Sequence, residues 1–336
     1  PERRAGDVGG LPLQRKRAVD HIERERAVAV AEHASISRAV IDGEKVGPGA
    51  ERKVAFDCAG QEPYFIRAAA QADVAQYAHR RAGGGVIVGS QYVARSAPDG
   101  HTIGIAISAM TINPAIRATM SYDTLRDIRG ISLLANAAMV GVMHPAVPAA
   151  NAKDFIAYAR TKKPEELSYL TPGIGTLGHI SGELFQHAAG IRLLHVPYQE
   201  SGRAVNDMIA GQGQLFFGLW QSVEPFVRAE KMKVLGIFNK SRLADFPNVP
   251  TINETLPGVE TISRLGAIAP NGTPKAIIDK IAADFGAIIK SAEIRQRIRP
   301  FGMEAVGSSP EEYDAIIAKE VADWKSVLGR AGVKPN

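Results

Sequence analysis

Residues 168–191, SYLTPGIGTLGHISGELFQHAAGI, constrain this chain more than any other stretch. They read as a short strand, a Gly/Thr-rich turn and an amphipathic helix. Gly173 and Gly175 permit a tight turn and let the backbone come close to a ligand. Thr176 is placed to cap the helix, and Gly190 is placed to stop it. A helix that starts after such a turn offers unpaired N–H groups and the positive end of its dipole. That chemistry suits a carboxylate or a phosphate. Most strand–helix turns bind nothing, so the turn alone assigns no function.

The pattern around this unit is regular after Gly85. Residues 88–96 read as a helix ended by a Pro98-Asp99-Gly100 turn. Residues 101–110 read as a buried strand, and residues 130–145 as one or two strands. Helices are expected over 153–161 and 202–210, and strands over 214–219 and 232–239. Residues 273–289 and 310–328 read as long amphipathic helices, the second capped by Ser309. Alternating strands and helices point to an α/β fold with mostly parallel sheets. Spacing alone allows either two lobes or one doubly wound domain.

Composition narrows the function classes. The 336 residues are 45% hydrophobic and 22% charged, which gives room for one large or two medium domains. No apolar run approaches the roughly 18 residues of a membrane span. The net charge of +5 suits an anionic ligand. Cys58 is the single cysteine, so no intrachain disulfide can form.

Catalytic patterns are missing. Asp123 and Asp127 are four apart, but Arg126 and Arg129 beside them favour surface charges or caps over an acid/base pair. His101, His144, His179, His187 and His195 show no metal-ligand spacing. The GIGTLGH turn has no following Lys-Ser/Thr, which argues against a nucleotide loop. No nucleophile elbow occurs. The chain is therefore expected to be no enzyme and to need no cofactor or metal.

Seven segments stand out in order along the chain. They are GGGVIVGSQYVARSAPDGHTI (83–103), INPAI with SYDTLRDIRGISLLA (112–135), KDFIAYARTKKPEELSYLTPGIGTLGHISGELF (153–185), HVPYQESGRAVNDMIAGQGQLFF (195–217), NVPTINE (248–254), APNGTPKAIIDKI (269–281) and residues 301–333. Together they resemble the tripartite tricarboxylate transporter receptor family, also called the Bug family of periplasmic solute-binding proteins. The resemblance runs from about Gly83 to the end.

That resemblance implies a two-lobed α/β fold of the type 2 periplasmic-binding-protein class. Lobe 1 would comprise 83–131 and 240–336, and lobe 2 would comprise 132–239, with crossings near 131–135 and 237–241. It implies a monomeric extracytoplasmic receptor, located in the periplasm. Such a receptor captures a small organic carboxylate and passes it to membrane transporter subunits, with no role for nucleic acid. Carried over residue by residue, Thr171, Gly175, Thr176 and His179 would hold the ligand from lobe 2. Ser108 and Asn113 would face it from a turn after the buried strand of lobe 1. Tyr198 and Ser201 would border the site. Gly218, Leu219 and Trp220 stand where the family often has an acidic residue, which argues against an amine-bearing ligand. Trp220 would either stack on an aromatic carboxylate or pack.

An alternative keeps the same fold behind a DNA-binding segment, as in effector-binding transcriptional regulators. Residues 1–82 carry 14 Lys and Arg against 12 Asp and Glu and show no three-helix apolar pattern, which speaks against it. These residues lack a signal-peptide pattern and any recognisable first strand and Pro-Gly-Gly turn. They read as a frameshifted or misassigned start rather than an extra domain. On that reading the strand at 101–110 keeps a bare edge, with poor solubility, weak binding and ready proteolysis before Gly83.

Overall fold

The computed structural model describes residues 87–330 and, before them, the strands β1 (Lys53–Phe56) and β2 (Tyr77–Arg80). The elements that follow are α1 (Ile87–Ala94), β3 (Thr102–Ile107), α2 (Ala109–Ile116), α3 (Thr124–Asp127), β4 (Ile128–Met143), α4 (Ala152–Ala159), β5 (Ser168–Thr171), α5 (Leu177–Ala189) and β6 (Leu194–Pro197). Then come α6 (Ser201–Ile209), β7 (Leu215–Leu219), α7 (Trp220–Arg228), β8 (Lys233–Ile237), β9 (Ile262–Pro270), α8 (Lys275–Ile289), α9 (Ala292–Ile298), β10 (Met303–Ala305) and α10 (Pro310–Arg330). Among the described residues, no helix is long and apolar enough to cross a membrane.

β4 organises everything else. Its 16 residues, IRGISLLANAAMVGVM, are almost all buried and rich in small side chains. A strand that long spans about 50 Å, more than one sheet needs. Its first part, through Ala138, pairs with β9 on one edge and β10 on the other. From Met139 onward it pairs with β7 and β8 instead. One strand thus belongs to two sheets. The first sheet adds β3, β1 and β2 beyond β9, and the second adds β5 and β6 beyond β7.

The sheets are mixed, which corrects the expectation of mostly parallel ones. Parallel ladders join β1 to β2 and β3, and β5 to β6 and β7. Every ladder to β4 or β9 is antiparallel. Local periodicity gives strand positions but not strand directions, because direction depends on where each connection returns.

Three further expectations are corrected. A strand does precede Gly83: Lys53–Phe56 lies parallel to β3, with Val54 opposite Ile103 and Phe56 opposite Ile105. The β3 edge expected to be bare is therefore paired. The remaining expectations for residues 1–82 lie outside the described residues. The chain also changes sheet later than expected. The first crossing falls between Ala138 and Met139 rather than at 131–135. At the second, Phe238 N–H donates to Met139 O and Thr261 N–H donates to Phe238 O, so the return to the first sheet comes at Ile262 rather than at 237–241. Residues 240–261 pack with the second sheet, where Ile252 and Val259 join Phe238 and Phe217 in one core.

That core also takes Ile112 and Ile116 from α2 and Leu328 from α10. Phe155, Phe185, Phe217 and Tyr169 are fully buried within it. Each such ring contributes about 1.5–3 kcal/mol of burial. The ends of α2 and α10 are in this way anchored on the second sheet although both helices belong to the first.

Candidate functional site

The strand–turn–helix unit forms as its sequence dictates. β5 ends at Thr171, and α5 begins at Leu177. Thr176 Oγ1 accepts the His179 N–H at 3.4 Å and donates to Gly173 O at 2.7 Å, so one hydroxyl both caps the helix and closes the turn. Gly190 ends the helix with φ +64. Gly175 has φ +81, a conformation that strains any residue with a Cβ. The amides of the first turn of α5 have no intrahelical partner, and the dipole's positive end lies with them.

α2 faces this turn from the first sheet. A Cβ on Gly175 would lie 2.7 Å from Ile116 Cδ1 and 2.9 Å from Asn113 Oδ1. Asn113 is fully buried. Its Nδ2 donates to Ala109 O at 2.7 Å, and its Oδ1 accepts from Arg117 Nε at 3.2 Å. The structure thus brings together Asn113, Thr171, Gly175, Thr176 and His179, which lie up to 66 residues apart in sequence (179 minus 113).

Ser108 sits in the turn directly after β3, as expected, whereas Asn113 does not sit on a turn. Ser108 precedes α2 directly, and Asn113 lies inside that helix. The Ser108 hydroxyl accepts the Arg264 N–H at 2.9 Å and is pinned to β9. Tyr198 meets the turn through its backbone. Its N–H donates to Thr171 O at 2.9 Å, while its hydroxyl donates to Asp207 Oδ2 at 2.8 Å. Burial and then the Asp207 bond push the Tyr198 phenol up from its ordinary value. Ser201 opens α6. Trp220 packs: it is 2% exposed and its ring lies 4.6 Å from that of Phe246. Asp123 caps α3 and Asp127 pairs with Arg126, as the cap and surface-charge reading holds.

Sequence reasoning missed the support beneath the turn. The rings of Tyr169, His195 and His179 form one stack, with centroids 4.7 Å and 4.5 Å apart. Thr171 Oγ1 lies 2.7 Å from His195 Nε2. The Gly175 N–H donates to His179 Nδ1 at 3.5 Å. The Tyr169 hydroxyl donates to Glu183, which also accepts from Gln186 Nε2 at 2.8 Å. Burial, helped by the neighbouring His179, holds the His195 imidazole down to about 3. Burial also lowers His179, against the pull of Glu183. Burial raises the Tyr169 phenol, and Glu183 adds to the rise. The available signal was the i, i+4 spacing of His179 and Glu183. His195 could be added only once β5 and β6 were paired, with Tyr169 opposite His195.

Both imidazoles are neutral at ordinary pH, so no positively charged ring stands here, and backbone amides and hydroxyls at the helix start are available as donors. Such an arrangement can accept anionic oxygen. Among the described residues, no group of three or more His, Cys, Asp or Glu could hold a metal ion.

Comparisons with known proteins identify the family and the fold. The sequence profile of the tripartite tricarboxylate transporter family receptor matches residues 68–333, beginning before Gly83. A UPF0065 protein in the tcbD-tcbE intergenic region of Pseudomonas sp. (strain P51) is 30% identical over 250 residues, 74% of each chain. Protein BugT of Bordetella pertussis is 26% identical over 257 residues, 76% of this chain and 78% of that one. Among solved structures, R. palustris Rpa4515 with adipate superposes with a TM-score of 0.79 at 25% identity, covering 86% of this chain and all of that one. On the match over residues 68–333 and on the two-sheet fold built around β4, the chain belongs to the tripartite tricarboxylate transporter receptor family.

Proposed function

We propose that this protein is an extracytoplasmic receptor that captures a small organic carboxylate and delivers it to a tripartite tricarboxylate-type membrane transporter. The observation that carries the reading is the 171–176 turn at the start of α5, facing α2 where the two sheets meet. Carboxylate oxygen would be received by backbone amides and by the Thr176 hydroxyl, with Asn113 opposite and Ser108, Tyr198 and Ser201 bordering. The adipate bound to a family relative of the same fold supports a dicarboxylate of that size. The receptor acts without chemistry, as a monomer in the periplasm, and the transporter subunits are its partners. Ligand capture closes two lobes about the crossings at Ala138–Met139 and 238–262.

A thermal-shift and calorimetric titration tests this, with adipate, other di- and tricarboxylates and neutral sugars as probes. At a hundredfold excess over Kd, a bound carboxylate adds about 2.7 kcal/mol of stability. A shift with neutral sugars and none with any carboxylate refutes anion capture. Small-angle scattering tests closure separately: an unchanged radius of gyration at saturation with a bound probe refutes it.

A further inference from the structure

The stack beneath the turn does more than fill space. The turn hangs from it at two points. One is the Thr171 hydroxyl, which accepts the Gly173 N–H at 3.3 Å and meets His195 Nε2 at 2.7 Å. The other is the Gly175 N–H, which donates to His179 Nδ1. Both points converge on one ring, because His195 bonds Thr171 directly and lies flat against His179, 17° from parallel. On its other face His195 lies 15° from parallel with Tyr169. We propose that His195 is a positioning residue that touches no ligand but sets the carboxylate-receiving turn, through the Thr171 hydroxyl and through the His179 ring. The proposal deepens the receptor reading and rests on it for the word carboxylate, but the wiring of the turn stands without any ligand.

The proton positions are assigned from the distances. Thr171 has one hydroxyl proton. Its Oγ1 accepts from Gly173 and lies 2.7 Å from His195 Nε2 against 3.5 Å from Gly173 O, so the proton is assigned to the shorter contact, which makes Nε2 the acceptor and puts the His195 proton on Nδ1. His179 Nδ1 accepts from Gly175, so its proton sits on Nε2, 3.9 Å from Glu183 Oε1. A proton added to His195 Nε2 turns that atom into a donor and drives the Thr171 hydroxyl towards Gly173 O, 3.5 Å away. A proton added to His179 Nδ1 expels the Gly175 N–H. The first event reverses the Thr171–His195 bond, and the second unhooks the Gly175 end of the turn. The groups facing the pair are Tyr169 and Thr171 on β5 and Glu183 on α5. Glu183 is the one carboxylate among them, and it already serves the Tyr169 hydroxyl and Gln186. The low proton affinity of both imidazoles agrees with a neutral pair.

The test combines a spectroscopic reading with variants of the full chain. Imidazole nitrogen signals of the native protein at pH 7.5 are expected to show unprotonated His195 Nε2 and unprotonated His179 Nδ1. The opposite tautomer at either ring overturns the wiring, and no variant is needed for that reading. His195→Phe keeps an aromatic ring in the stack and removes the acceptor. Thr171→Val removes the hydroxyl, and Thr171→Ser restores it. Without ligand, His195→Phe and Thr171→Val are each expected to lower hydrogen-exchange protection of the Gly173 and Gly175 amides, and Thr171→Ser to keep it. With adipate as probe, each of the two is expected to raise Kd about tenfold, and the double variant no further. Unchanged amide protection in both single variants, or losses that add independently, overturns the proposal. If adipate binds neither the native protein nor any variant, the receptor reading loses its probe, and the imidazole signals and amide protection still decide the role of His195.

Discussion

Replacing Gly175 by alanine separates the strain within the turn from the contact between the two sheets. Two costs arise at this position. The first is backbone strain: φ is +81, and a Cβ there costs about 1–2 kcal/mol wherever the neighbouring helix lies. The second is a collision with α2. The added Cβ would stand 2.7 Å from Ile116 Cδ1, the end of a side chain that can rotate away for about 1 kcal/mol. It would also stand 2.9 Å from Asn113 Oδ1, which cannot yield as easily because Arg117 Nε and the Ala109 carbonyl hold that amide at both ends. Overpacking of this kind costs about 1–3 kcal/mol. The second cost applies only while the 171–176 turn and α2 are together. Gly190 provides the control. It ends the same helix with φ +64 and has nothing within 4 Å of a built Cβ, so Gly190→Ala incurs backbone strain alone. Gly190→Ala is expected to lower Tm by about 2–8 °C, at 2–4 °C per kcal/mol for a body of this size. Gly175→Ala is expected to lower it further and to weaken adipate binding about tenfold, while Gly190→Ala leaves binding unchanged. Thermal melts and calorimetry on the two variants make the measurement. Equal melts together with equal binding would refute the argument that Gly175 is needed for the close approach of α2.

Three other outcomes follow from the same geometry. A histidine whose folded-state value is depressed stabilises the fold while neutral, so the contribution of His195 is complete above its ordinary value of 6.5 and declines as pH falls from 6.5 towards about 3. Chemical denaturation should show about 1–2 kcal/mol less stability at pH 5 than at pH 7.5 from this group, and His195→Phe should remove that part of the slope. Thr171→Val leaves the half-buried His195 Nε2 and Gly173 N–H without their shared partner and should cost about 1 kcal/mol in urea melts; a neutral effect would mean the hydroxyl is not wired as described. The Ser181 and Thr261 hydroxyls meet at 2.7 Å, fully buried, and tie α5 to the start of β9. Ser181→Ala should cost about 1–2 kcal/mol, and adding Thr261→Val should cost little more, which a double-mutant cycle measures directly.

The sequence by itself determined the local units. Thr176, Gly175 and Gly190 are legible because caps and left-handed glycines act within a few residues of chain. The helices over residues 152–159, 201–209, 275–289 and 310–330 follow from their apolar period, and β5, β7 and β8 fall where short apolar runs place them. The order of motifs was enough to indicate the family, which the match over residues 68–333 bears out. Tertiary structure decided the rest. Whether residues 130–145 make one strand or two depended on β9, β10, β7 and β8, which come from four later parts of the chain. The three residues of β10 carry no pattern of their own and are strand only because Ala135 to Ala137 lie beside them. Ser108 looked like a residue of an open turn until Arg264, 156 residues later, claimed its hydroxyl. His195 looked like an isolated histidine until strand pairing set it opposite Tyr169 and beneath α5. Caps and periods are written along the chain, where neighbours in sequence are neighbours in space. Strand direction, sheet crossings and ring stacks depend on partners brought from afar, and no local signal encodes which partner arrives.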